Sequence, residues 1–191
     1  MLNNYLKFLQ SESKKFSKEN KIFDIVLYGS SARSKEEPND VDILLIFLNE
    51  KLESRLKLAQ EFKNKIKDKL KNLDIKSINL KELFDKNFLA RQGVLVEGIS
   101  LVDLKPISES LGFDGYSLFT YNLKNLNNSR KTSFIYSLLG RNKEGMLKKK
   151  NALQLGKGTI AIHIKKSAIF EDFLKTWKVE YKERKILISK L

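Results

Sequence analysis

Residues 25–48 read IVLYGSSARSKEEPNDVDILLIFL, and this stretch decides the first half of the chain. Residues 25–28 form a short apolar run ended by a glycine, the pattern of a central strand. Gly29 has no Cβ, so the backbone can turn sharply and a ligand can come close. Ser30 and Ser31 suit the N-cap of a short helix through Ala32, Arg33 and Ser34. The unpaired N–H groups at a helix start attract phosphate oxygens, and the Ser30 hydroxyl would add a donor.

Glu36, Glu37, Pro38 and Asn39 are polar and break regular structure, so they read as an exposed loop. Asp40-Val41-Asp42 follows, ten residues after Ser30, and leads into the apolar residues 43–48. Side chains alternate along a strand, which puts Asp40 and Asp42 on one side and Val41 on the other. An unbroken apolar run after them predicts a strand covered on both faces. Neighbouring carboxylates repel unless a cation lies between them. Mg²⁺ takes about six oxygens, usually only one or two from protein carboxylates, and fills the rest with phosphate and water. An anion-binding turn beside such a pair suits metal-dependent chemistry on a nucleoside triphosphate. Either motif alone is weak, and their order within strand, turn, helix, loop and strand gives the pair its weight.

Gly29-Ser30, Ala32-Arg33 and Asn39-Asp40-Val41-Asp42 together resemble the signature of the minimal nucleotidyltransferases, within the DNA polymerase beta-like superfamily. The resemblance covers the first half of the chain. It implies a mixed sheet flanked by helices, and transfer of a nucleoside monophosphate from a triphosphate, ATP foremost, to a hydroxyl with release of pyrophosphate. By position it gives Gly29 and Ser30 the triphosphate oxygens, and Asp40 and Asp42 the Mg²⁺ or Mn²⁺ ions. Arg33 stands where the family often has a basic residue, to contact phosphate or to pair with Glu36 or Glu37. The family's third carboxylate, a metal ligand that assists deprotonation of the acceptor, would be Asp74 in the segment LDIKSINL. Lys76 shares its face, and could pair with Asp74, bind phosphate, or signal that the third acid is missing.

Around this motif the expected class is α+β. Tyr5, Leu6, Leu9 and Phe16, with Leu2 before them, fall on one face of an N-terminal helix. Leu52, Leu56, Ala59, Phe62, Ile66, Leu70 and Leu73 step by three and four, predicting a long helix capped by Asn49. A strand at 75–80, a helix at 81–92 ended by Gly93, and one or two strands over 94–102 complete a domain at residues 1–104.

Residues 105–191 form a second, smaller α+β domain in this reading. Strands are expected around Tyr116, Phe119 and Tyr121, at 159–164 and at 181–188, with helices at 128–139 and from Ser167 through Trp177. The inward helix positions would be Phe134, Ile135, Leu138 and Leu139, then Ile169, Phe170, Phe173, Leu174 and Trp177. Residues 140–158, with four glycines and a lysine triplet, read as a loop or hairpin.

Charge separates the two halves. Residues 1–104 carry 19 Lys and Arg against 16 Asp and Glu, a net of +3. Residues 105–191 carry 18 against 7, a net of +11, which completes the +14 of the whole chain. Uncompensated positive charge predicts a polyanion partner, RNA, held by Arg130, Lys131, Arg141, Lys148, Lys149 and Lys150. Tyr116, Phe119, Tyr121 or Tyr136 could stack on bases, though aromatics at such spacing are more often core.

Other classes fall away. Gly140 and Gly145 have P-loop spacing, but Met146-Leu147 stands where Lys-Ser or Lys-Thr is required. With no cysteine and one histidine, His163 in an apolar strand, thiolate zinc sites and serine-protease triads are not expected. No apolar run reaches a membrane span and no secretory signal opens the chain, so a cytoplasmic protein is expected. Two alternatives stand beside the RNA-directed enzyme. One is an enzyme of toxin–antitoxin type that transfers AMP to a protein partner. The other is a degenerate domain in a nucleic-acid-binding module.

Overall fold

A computed structural model describes residues 4–33, 40–70 and 72–190. Leu2, Ser34, Glu36, Glu37, Pro38 and Asn39, on which parts of the sequence reading fall, lie outside the described residues. The architecture is α+β, in two compact units that meet in sequence between Gly112 and Phe113.

In the first unit, α1 (Asn4–Glu19) precedes β1 (Asp24–Tyr28), the single-turn α2 (Ser30–Arg33), β2 (Val41–Phe47) and α3 (Leu52–Ile66). Then come β3 (Leu73–Asn79), a 3-10 turn (Leu80–Phe84), α4 (Arg91–Glu97), β4 (Ile99–Ser100) and α5 (Ile107–Ser110). The sheet order is β3-β2-β1-β4. β1 runs antiparallel to β2 and β4, whereas β2 and β3 are parallel. A parallel pair needs a crossover, and α3 supplies it.

Both faces of the sheet are covered, which explains the unbroken apolar runs. On one face Ile25, Leu27, Ile43, Leu45 and Phe47 pack with Leu9 and Phe16 of α1 and Phe62 and Ile66 of α3. On the other, Val26, Tyr28, Leu44, Ile46 and Ile78 pack with Leu83 and Val94. Each fully buried side chain of this size contributes roughly 1.5–3 kcal/mol before entropy is counted.

Several expectations are corrected here. α3 stops at Ile66 and its N-cap is Lys51, not Asn49, because Lys51 is the residue with extended backbone. Leu52 and Leu56 are exposed, and Leu73 opens β3 instead of ending the helix. β2 ends at Phe47, which leaves Leu48 exposed. The predicted 81–92 helix is a 3-10 turn followed, after a gap, by α4. At its start the Asn79 N–H donates to Glu82 at 3.1 Å. Gly93 lies within α4 and does not end it; a Cβ there would touch the Tyr28 ring at 3.9 Å. The expected strand over 94–102 shrinks to two residues because Val94 to Glu97 are helical. Gly98 ends that helix, and a Cβ on it would strike the Val94 carbonyl oxygen and Val26.

The second unit is an antiparallel sheet ordered β6-β7-β5-β8, built from β5 (Phe113–Asn122), β6 (Leu153–Gly156), β7 (Thr159–His163) and β8 (Glu180–Ser189). Helices α6 (Asn128–Leu139), α7 (Met146–Lys150) and α8 (Ser167–Thr176) share its core through Phe134, Leu138, Leu147, Phe170 and Leu174. Asn127 caps α6, its side chain accepting from the Arg130 N–H at 2.9 Å. The segment 140–158, read as a loop or hairpin, contains α7, anchored by buried Leu147, and then β6, which forms a hairpin with β7. Leu139 and Ile169, expected inside, are partly solvent-facing. The N-cap of α8 is Lys166 and not Ser167, whose hydroxyl donates to the Ile164 carbonyl at 2.9 Å. Among the described residues no helix is long and apolar enough to cross a membrane.

Candidate active site

One end of the first sheet gathers the residues that carry chemistry. Tyr28 is the register partner of Asp42, and Asp42 of Asp74, so the three stand in a row across β1, β2 and β3. Directly paired residues project to the same face, here the face that also carries Val26, Leu44 and Ile78. The row lies where β1 ends and where the parallel strands β2 and β3 begin.

The turn after Tyr28 is shaped around Asp42. Gly29 has φ +72°, and a Cβ built on it would meet Asp42 Oδ2 at 2.5 Å. Any other residue would push that carboxylate aside, so glycine is required twice over, by conformation and by space. The buried Ser31 hydroxyl donates to the Tyr28 carbonyl at 2.8 Å, and the Tyr5 hydroxyl donates to the Ser31 carbonyl at 3.4 Å. These bonds tie the turn to the strand it leaves and to α1. Ser30 stays exposed at the tip, with its side chain open to a ligand.

Electrostatics single out Asp42. Burial pushes its carboxyl above the usual carboxylate range, the Asp74 charge adds to this, Lys76 opposes it, and Asp40 adds a little. Burial likewise raises Tyr28. The Lys76 ammonium pairs with Asp74 Oδ2 at 3.1 Å, both side chains about half exposed, and its charge opposes the rise at Tyr28. That bond to Asp74 is the main reason the Lys76 pKa rises.

Among the described residues, no three of His, Cys, Asp and Glu gather into a metal-holding group. Asp40 precedes the first residue of β2, Asp42 faces Gly29, and Asp74 is taken up by Lys76. The donor set still fits a divalent ion held by one or two carboxylates and completed by phosphate oxygens and water. Asp42 and Asp40 are the carboxylates that would supply those oxygens, and Asp42 Oδ2 fills the space a Cβ on Gly29 would take.

Glu36 and Glu37, offered as partners of Arg33, lie outside the described residues. The Arg33 guanidinium pairs with the buried Glu97 of α4 at 3.4 Å. This partner had no signal in the sequence, because Glu97 lies in a segment that read as strand. Tyr28 was read only as the end of an apolar run, and its place opposite Asp42 is the signal that went unused.

The basic residues of the second unit are dispersed over its helices. Arg130 and Lys131 sit in the first turn of α6, and Lys148, Lys149 and Lys150 in α7, with Lys148 bound to Glu144 at 2.9 Å. The Arg141 guanidinium lies over the Tyr136 ring at 4.9 Å. Phe119 is fully buried and so cannot stack on a base, while Tyr121 is half-buried against the same core. His163 meets Tyr116 edge to face, its Nδ1 accepting from the Lys165 N–H, and burial lowers its pKa.

Residues 11–98 match the family model of the polymerase beta nucleotidyltransferase domain, so the first unit carries a nucleotidyltransferase domain. The resemblance read from the sequence is borne out there. Solved structures supply more particular likenesses. One is a tri-AMPylated Shewanella oneidensis HEPN toxin in complex with MNT antitoxin, at 21% identity and TM-score 0.35, covering 50% of this chain and 71% of that one. A second is a toxin–antitoxin with AMP-PNP, at 22% identity and TM-score 0.36, covering 48% and 71%. A third is the toxin–antitoxin MntA-HepT, at 18% identity and TM-score 0.35, covering 55% and 83%. A search of curated proteins gives no match.

Proposed function

We propose that the protein transfers a nucleoside monophosphate from a triphosphate, ATP in the first instance, to a hydroxyl of an RNA. The observation that carries this reading is the fit of Gly29 against Asp42, which sets the exposed Ser30 turn directly beside a carboxylate. Mg²⁺ or Mn²⁺ bound to Asp40 and Asp42 would neutralise triphosphate charge and polarise the α-phosphoryl group.

The chain's own residues do the rest by position. The Gly29 and Ser30 turn receives the phosphates at its open tip. Tyr28 and the packed core beneath it hold Asp42 in place. The acceptor oxygen bonds to the α-phosphorus, the bond to the bridging oxygen breaks, pyrophosphate leaves, and the hydroxyl proton passes to water. Nothing here calls for a covalent enzyme intermediate, and catalysis comes from orientation and charge stabilisation.

The RNA acceptor rests on charge, a net of +11 over residues 105–191. Incubating the protein with each α-labelled triphosphate, Mg²⁺ and total RNA should place label in RNA. Label in protein bands would reassign the acceptor to a protein, and silence with all four nucleotides would sink the enzymatic reading. Replacing Lys148, Lys149 and Lys150 by alanine should weaken RNA binding. Its salt dependence should also flatten, by about 1 in log–log slope for every lysine that had neutralised a phosphate.

A further inference from the structure

The third carboxylate position of the nucleotidyltransferase reading carries an ion pair, one of the outcomes its sequence allows. Asp74 stands beside Asp42 in register, and Asp74 Oδ2 is held by Lys76 Nζ at 3.1 Å. The Lys76 charge is also felt at Tyr28, where it opposes the rise that burial causes. Tyr28 belongs to β1 and Lys76 to β3, with β2 between them. Lys76 and Asp74 share the face on which Tyr28 and Asp42 project, so the ammonium lies on that face of the sheet.

A positive charge therefore lies on Asp74, the register partner of Asp42, where a second divalent ion would otherwise bridge acids of two strands. The pair is half exposed, so it is open to a ligand from solvent. An ammonium is a compact charge with three donors, suited to phosphate oxygens.

We propose that the Lys76 ammonium replaces one of the two cations of a two-ion site. A triphosphate then binds with a single divalent ion on Asp40 and Asp42, and Lys76 donates to one of its phosphate oxygens. The inference rests on the nucleotidyltransferase reading above and adds a one-ion stoichiometry to it.

Electron paramagnetic resonance titration of Mn²⁺ into the full chain saturated with α,β-methylene-ATP tests this without catalysis. The wild type should bind one Mn²⁺ per chain. Lys76→Ala, which frees Asp74, should bind two, and Lys76→Arg, which keeps the charge, should bind one. Circular dichroism would verify that the edge-strand variants stay folded. Two ions on the wild type, or one on both wild type and Lys76→Ala, would overturn the inference while leaving the nucleotidyltransferase reading intact. A folded chain that binds neither nucleotide nor Mn²⁺ would overturn both.

Discussion

Asp24 and Asp42 stand at opposite ends of the β1–β2 pair, and burial pushes both carboxyls above their usual range. Their neighbours differ. Asp24 Oδ1 accepts from the Ser100 hydroxyl at 2.7 Å and from the Ile25 N–H at 2.8 Å. It borders an apolar cavity of about 400 Å³ lined by Phe23, Ile46, Leu80, Leu83 and Phe84. Asp42 instead faces other charges, Asp74, Lys76 and Asp40, and its Oδ2 packs against a glycine turn. A raised carboxyl by itself thus marks burial. Chemistry is marked by what the acid can reach.

The widest separation between the two ends should come from paired amide variants. Asp42→Asn is expected to cut nucleotide transfer by about 10³-fold, whereas Asp24→Asn should leave it unchanged; equal losses would erase the contrast. Next in size is Gly29→Ala. Its Cβ would displace the Asp42 carboxylate in a backbone that disfavours it, so transfer should fall by about 10²-fold. Thermal unfolding should show a loss of about 1 kcal/mol as well.

The smallest effect is one of pH. Asp24 has a folded pKa above the unfolded value of 3.8, so its contribution is fully present below that value and lost as pH rises through the folded pKa. Asp24→Asn should therefore raise Tm at pH 7, and the gain should fade in acid. Glu82 has the opposite sign, because the Arg55 guanidinium at 2.6 Å holds its carboxyl below the usual range. Its contribution is present above the unfolded value and lost as pH falls through the folded pKa. Glu82→Gln should lower Tm at pH 7 and leave it unchanged in strong acid.

Much of this was legible in the residues. The apolar runs at 25–28 and 43–47 are buried strands, and Gly29 and Asp42 are set against each other as the motif requires. The segment after Gly93 was not legible. An apolar stretch of that length fits helix or strand equally by period, and the contact with Tyr28 that makes Gly93 a packing residue is tertiary. The end of α3 was hidden for a related reason, since Leu70 and Leu73 keep its spacing although Leu73 already belongs to β3. Asp74 and Lys76 could be placed on one face but not beside Asp42, because sequence gives the side of a strand and not the register with its neighbour. The helix inside the basic segment follows from one buried leucine among lysines, too little to outweigh the glycines around it.

The parallel join of β2 and β3 has a consequence for how the protein comes into being. Tyr28, Gly29 and Asp42 can meet as a simple antiparallel pair, but Asp74 and Lys76 reach them only after α3 has been made and the edge strand has docked. During synthesis the acidic end is therefore assembled late, and a chain cut within α3 would keep the turn while losing the cation that steadies it.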